Sequence, residues 1–137
     1  MYKRQIIWSH VTGSKEAIKA TQESLTHLFQ RVDADHVAVD PDKTSLTGTG
    51  GRISAGKVAG GNWTYDGGII WRSPELELND IGFLRQADEI RQYFNFRYST
   101  LKPFGAFRNI NFGLEQFMTY DFDGNFNRIQ YEFEWAD

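Results

Sequence analysis

The chain contains no cysteine. Disulfides, thiolate catalysis and cysteine-ligated zinc are therefore excluded, while the redox compartment stays open. Proline is scarce, with three residues in 137. Positive charge is not in excess: the net charge is −3, and no basic block occurs. That removes the general electrostatic case for nucleic acid. No apolar run approaches the roughly 18–20 residues of a transmembrane helix, and the mean hydropathy is negative. Neither fact argues against membrane β-strands, whose alternation never looks greasy in a sliding window. No Gly-x-Ser-x-Gly elbow, His-x-x-x-His pair or Ser-His-Asp order is present, so no catalytic set and no cofactor is expected; the chain itself reads as a non-enzyme, with a hydrolase activity of a full-length parent left open.

Aromatics are abundant at 15%, and there are 13 glycines. Such a composition suits a β protein with many tight turns. It suits an outer-membrane barrel, which needs aromatic girdles, and also a soluble sandwich. Met1-Tyr2-Lys3-Arg4-Gln5 is followed by no apolar stretch long enough for a signal peptide. Read back into codons, residues 1–5 resemble the end of a transposon adapter used for sequencing libraries. They are taken as an artefact, with residues 6–137 as a partial barrel domain. At the other end Asp137 follows the alternating run Ile129–Trp135 with no turn or cap, so the chain is read as a fragment.

Residues 5–12 read as a strand end. Gly13 and Ser14 then open a helix running to about Arg31, with Ser14 as N-cap and Glu16 in the first turn. Ile18, Thr21, Leu25, Leu28 and Phe29 would form its apolar face. This helix lies in a long loop, 13–43, and strands are expected over 44–137. Ala59-Gly60-Gly61-Asn62 has hairpin chemistry. Trp63, Tyr65, Ile69 and Trp71 alternate against Thr64, Asp66, Ile70 and Arg72. Similar alternation marks 88–102, the segment from Ile110 to Phe122, and 129–135, with turns at Lys102–Gly105 and Asp123-Gly124-Asn125. The predicted fold is mainly all-β: an antiparallel meander, part of a transmembrane β-barrel, with one short amphipathic helix in a long loop. The last strands are roughly 10 residues or longer, against a usual mode of about 5–6, and transmembrane strands need about 9–11. A barrel is therefore favoured over a soluble carbohydrate-binding sandwich, in which Trp63, Tyr65 and Trp71 would stack on sugar. Loop lengths alternate long and short as barrels require, except that the turn at 123–125 is short on the long side.

Asp33, Asp35 and His36 are weak candidate metal ligands, with Asp40 and Asp42 in the same loop. The spacing lacks the Gly and terminal Glu of an EF-hand, and a solvated acidic loop is the favoured reading. His10 and His27 read as structural or surface residues. Gly48-Thr49-Gly50-Gly51 lacks the Lys-Ser/Thr of a phosphate loop and reads as a bulge or a close approach. The stretch Trp71-Arg-Ser73-Pro74 through Asn79-Asp80-Ile-Gly82-Phe83-Leu84 is the most motif-like, a turn anchored on an apolar surface.

At this stretch the chain resembles a family of large proteins described as a domain of unknown function. Ser9–Ala17, Phe29–His36 and Lys102–Gly105 are similar to the same family. The resemblance implies an outer-membrane β-barrel of a Gram-negative bacterium, downstream of a module similar to family-nine carbohydrate-binding domains. It further implies lipid, the rest of the parent barrel and a glycan as partners. It supplies no catalytic residues.

Overall fold

The computed structural model describes residues 1–32, 34–78, 84–100, 102, 103, 105 and 108–136. Six strands follow one another in one antiparallel sheet, ordered as they occur in the chain. They are β1 (Tyr2–Thr12), β2 (Ser45–Lys57), β3 (Trp63–Arg72), β4 (Glu89–Thr100), β5 (Ile110–Tyr120) and β6 (Phe126–Ala136). The chain is thus mainly β and the sheet is open. Residues 2–5 are part of β1 and pair with residues 52–55 of β2.

One helix, α1 (Lys15–Gln22), follows β1. Its start is as expected: the Ser14 hydroxyl accepts from the Ala17 amide at 3.2 Å. Its own amide and Ser14 hold the Glu16 carboxyl below its usual range. The helix is shorter than the periodicity suggests. Beyond Gln22 the Ser24 and Thr26 hydroxyls bond each other at 2.9 Å, and Leu28 takes a positive φ of 47°. Such local bonding by hydroxyls competes with helix continuation. The expected apolar face therefore stops at Ile18; Leu25 is 86% exposed, while His27 and Phe29 are buried by the loop's own path.

The turns match their residues. Gly60 and Gly61 both have positive φ, 84° and 85°, between β2 and β3. That is what a tight hairpin compatible with strand twist requires. Gly124, at φ 87°, serves the β5–β6 turn.

Strand register divides the sheet into two unlike faces. On one face Trp63, Tyr98, Phe112 and Trp135 stand opposite one another across four strands. The Trp63 and Tyr98 ring centroids are 4.3 Å apart. Toward the other end Trp71, Ile90, Tyr120 and Phe126 form a second row. Between the rows lie Tyr65, Ile69, Phe94, Leu114, Met118 and Phe133, and many of these side chains are exposed. Two amides interrupt this face, Gln92 and Gln116, and they hydrogen-bond each other at 3.2 and 3.3 Å.

The opposite face is polar. It carries Arg52, Asp66, Arg91, Asn95, Arg97, Glu115, Thr119, Arg128 and Glu132. Here the connections fold back onto the sheet. The segment after β3 lies on β2, and Leu76, Leu84 and Ala87 form the buried cluster, with Ile7 and Leu78 against it. Gly48 and Gly50 make this possible. A Cβ at Gly48 would stand 2.2 Å from the Leu76 amide nitrogen, and one at Gly50 would stand 2.7 Å from Leu76 Cδ2. The glycines of β2 thus mark a close approach. Ser73 donates its amide to the Thr49 carbonyl (2.8 Å), and its hydroxyl accepts from the Thr49 amide (2.8 Å).

Replacing Gly48 by Ala is expected to lift the 73–78 segment off β2, because the clash is with backbone. The expected loss is at least about 1–3 kcal/mol, the usual range for overpacking. Urea unfolding checks this, with Gly60→Ala as a comparison at a site with open space but positive φ.

Candidate functional site

Three connections leave the sheet at the same end: 13–44, 73–88 and 121–125. They meet over the polar face at Asp88, just before β4. Asp88 is fully buried and has a positive φ of 54°, a conformation that Asp tolerates better than most residues. Its carboxylate accepts from Arg31 Nη2, from His36 Nε2 at 2.9 and 3.0 Å, and from the Phe122 amide at 3.1 Å. One side chain therefore ties the loop after α1 and the β5–β6 turn to the start of β4. A buried carboxylate with this set of donors is stable; stripped of them it would be costly.

Asp121 stands beside it and is also buried. Its Oδ1 accepts from the Asp123 amide (3.0 Å) and the Asn125 amide (2.8 Å), and its Oδ2 accepts from Asn125 Nδ2 (3.0 Å). Burial alone would raise its pKa. The bonds from Asn125 and Asp123, with the nearby His36, outweigh burial and hold it below the usual carboxylate range. The turn expected at 123–125 is thus built around this carboxylate.

His36, Asp88 and Asp121 could hold a metal ion, since one ligand atom of each lies within 4.8 Å of the others. The chemistry of the donors fits an ion poorly. Both oxygens of Asp88 are engaged by N–H donors, and Arg31 already supplies positive charge there. The cluster holds together without a metal, as a hydrogen-bonded latch.

A second tether runs through His27, which is buried. Its Nε2–H donates to the Leu76 carbonyl at 3.0 Å, and its Nδ1 accepts from the Ser24 hydroxyl at 3.2 Å. This tautomer is the one that satisfies both partners. Burial pushes its pKa down, against the opposing pull of Glu77, whose carboxylate is 3.9 Å away. Ser24, His27 and Glu77 have the residue types of a catalytic triad. The imidazole, however, is sealed from solvent and spends its Nε2 proton on a backbone carbonyl, so it fastens one loop to another.

The sequence-predicted residues are distributed as follows. His36 joins Asp88 and Asp121, not its neighbours in the acidic loop. Asp35 is exposed and Asp33 lies outside the described residues. Asp40 uses its backbone to exchange hydrogen bonds with Gln22, at 3.1 and 2.7 Å. Asp42 pairs with Lys15 at 2.7 Å. Of the motif-like stretch, Trp71 is half-buried over Gly51, Ser73 bonds β2, Pro74 is half-buried and Leu84 is in the buried cluster. Asn79, Asp80, Gly82 and Phe83 lie outside the described residues. Asp88 and Asp121 were not singled out in the sequence. The available signal was slight: the Asp88-Glu89 pair after Leu84 and Ala87, and an acid opening a Gly-Asn turn.

Residues 5–135 match the model of a family described as a domain of unknown function, DUF5916. The chain belongs to that family, which carries no enzymatic assignment. No curated protein matches the chain, and no solved structure does.

Two outcomes are expected at this site. Asp88→Ala should destabilise the protein by about 3–5 kcal/mol, the cost of breaking a buried pair by removing one partner. Asp88→Asn, which tolerates the same backbone conformation and keeps a hydrogen-bond acceptor, should cost less; guanidinium unfolding measures both. Because the His27 pKa is lower folded than unfolded, the unfolded chain binds the extra proton. The His27 contribution is therefore complete above the unfolded value of about 6.5 and is lost as pH falls through the folded value. The urea midpoint should drop more between pH 7.5 and 5.5 in the native chain than in His27→Gln.

Proposed function

We propose that the sheet is part of the wall of an outer-membrane β-barrel in a Gram-negative bacterium, with the connections at 13–44 and 73–88 lying over its lumen. The observation that carries this reading is the aromatic row Trp63–Tyr98–Phe112–Trp135, continuous across four strands, with a second apolar row toward the other end of the same face. Lipid-facing barrel walls carry an apolar band bounded by such girdles, with polar residues inside. From Trp63 to Trp71 the strand rises about 26 Å at about 3.3 Å per residue. At a tilt of about 40° that is about 20 Å along the barrel axis, against a band of about 25 Å.

Three further observations support it. The strands run from 10 to 13 residues, and transmembrane strands need about 9–11. The two amides on the apolar face satisfy each other, as groups facing hydrocarbon must. The longer connections are at one end, although the short 121–125 turn shares that end. No helix among the described residues is long and apolar enough to cross a membrane, which says nothing of a barrel. In this reading the domain is structural or transport-related, its partners are lipid and the remaining strands of a parent barrel, and a glycan-linked cargo is carried over from the family resemblance.

The test is medium dependence. The protein carrying this domain is expected to fold only in detergent or bilayers, with Trp63 and Trp135 emission quenched by brominated acyl chains. A monomer folded in detergent-free buffer would overturn the barrel. If its Trp emission also changed with added glycan, Trp63, Tyr65 and Trp71 would be a sugar platform on a soluble sandwich.

A further inference from the structure

Below the Asp88 latch the polar face opens into a cleft of about 690 Å³, within the size range of small-molecule sites. Its lining is unbalanced in charge. Five of the nine arginines in the chain border it (Arg31, Arg72, Arg85, Arg91 and Arg128), with Glu89 as the one acid among the described residues. This happens in a chain whose net charge is −3. No lysine among the described residues contributes to the lining. Arginine rather than lysine is the residue suited to planar, two-point recognition of an oxyanion.

The arginines are not all spent inside the protein. Arg31 is engaged by Asp88, and Glu89 is shared by Arg72 and Arg91, the latter at 2.8 Å. Arg85 and Arg128 have no carboxylate partner among the described residues. Arg91, Thr119 and Arg128 stand side by side on β4, β5 and β6. Both guanidinium groups are held near the ring of Phe117, at 5.7 and 5.6 Å from its centroid. Two like charges are thus positioned around one aromatic ring; Arg91 Nη2 is spent on Glu89 while its buried Nε has no hydrogen-bond partner, and the exposed Arg128 guanidinium is left for another acceptor. Between them Thr119 is only 7% exposed, and its hydroxyl has no hydrogen-bond partner. A buried, unsatisfied hydroxyl in a cationic cleft is a donor waiting for an acceptor.

We propose that this cleft binds an oxyanion, a phosphate, sulfate or carboxylate group carried on a small molecule, with Arg91 and Arg128 gripping it and Thr119 donating to it. The cleft exceeds what one inorganic ion fills, so the ligand is expected to extend beyond its charged group. The assignment of this site to the lumen rests on the barrel reading, where rings of arginine select anions. Binding itself rests only on the lining.

The experiment is isothermal titration of the 137-residue chain, in whichever medium folds it, with inorganic phosphate, then with glucose 6-phosphate against glucose. Saturable phosphate binding is expected, tighter for glucose 6-phosphate and absent for glucose. Arg128→Gln, at an exposed position that should not disturb folding, is expected to weaken binding about ten-fold, the loss of roughly one charge-assisted contact. Thr119→Val, nearly isosteric, should weaken it by less. Arg97→Gln, on the same face but paired with Glu134, should leave it unchanged. Absence of binding at millimolar phosphate, equal competition by chloride, or equal loss in Arg97→Gln and Arg128→Gln would overturn the proposal. Detergent dependence is scored separately. A chain that folds without detergent and binds phosphate keeps the cleft and loses the barrel; one that needs detergent and binds nothing loses the cleft.

Discussion

The contact of Leu76 with the bare backbone of β2 is the constraint on which the rest of this structure depends. A single sheet has no interior. It acquires one only where something lies on it, and here the cover comes from residues 73–78 with Leu84 and Ala87. Gly48 and Gly50 let that segment approach to backbone contact, so that Leu76, Leu84 and Ala87 can be buried. Once it is seated, His27 can reach the Leu76 carbonyl, and Asp88 arrives where Arg31, His36 and the Phe122 amide converge. Loop order follows from strand glycines, and the latch follows from loop order.

Burial in this chain does not follow polarity alone. Polar groups such as Gln22, His27, Asp88, Glu89 and Asp121 are buried, while Trp8, Phe133 and Trp135 are exposed. Burying polar groups is tolerable only when each finds partners. The carboxylates do so through arginine, histidine and backbone amides, and Gln22 through Asp40. Exposing a continuous aromatic face to water has no comparable remedy, since patches of that extent normally mark a contact surface. In hydrocarbon the same face carries no penalty.

Much of the strand layout was readable from the residues. Alternation located β3 over 63–72 and assigned Trp63, Tyr65, Ile69 and Trp71 to one face, because a period of two is a local property. Gly60-Gly61 and Gly124 were readable for the same reason. The helix was overrun because Leu25, Leu28 and Phe29 keep helical spacing beyond Gln22. What ends it is the Ser24–Thr26 hydroxyl pair and the positive φ at Leu28, in a loop that His27 fastens to Leu76, 49 residues away. The latch was hidden for a related cause. Arg31 and His36 lie 57 and 52 residues from Asp88, and no local pattern encodes such a meeting. His36 stood out by type, but its neighbours in sequence are not its neighbours in space.

The uneven distribution of connections carries a consequence for how the chain breathes. The ends of β1 to β4 beneath the loops share buried side chains and crossing hydrogen bonds, whereas the opposite ends of β2 and β3 are joined by a short glycine hairpin. Local opening follows the density of such contacts. Amide exchange should therefore run as a gradient along each strand, slowest near Leu46, Arg72 and Glu89 and fastest toward Lys57 and Trp63. A sheet fastened at one rim and loose at the other can widen at the loose rim without disturbing the fastened one.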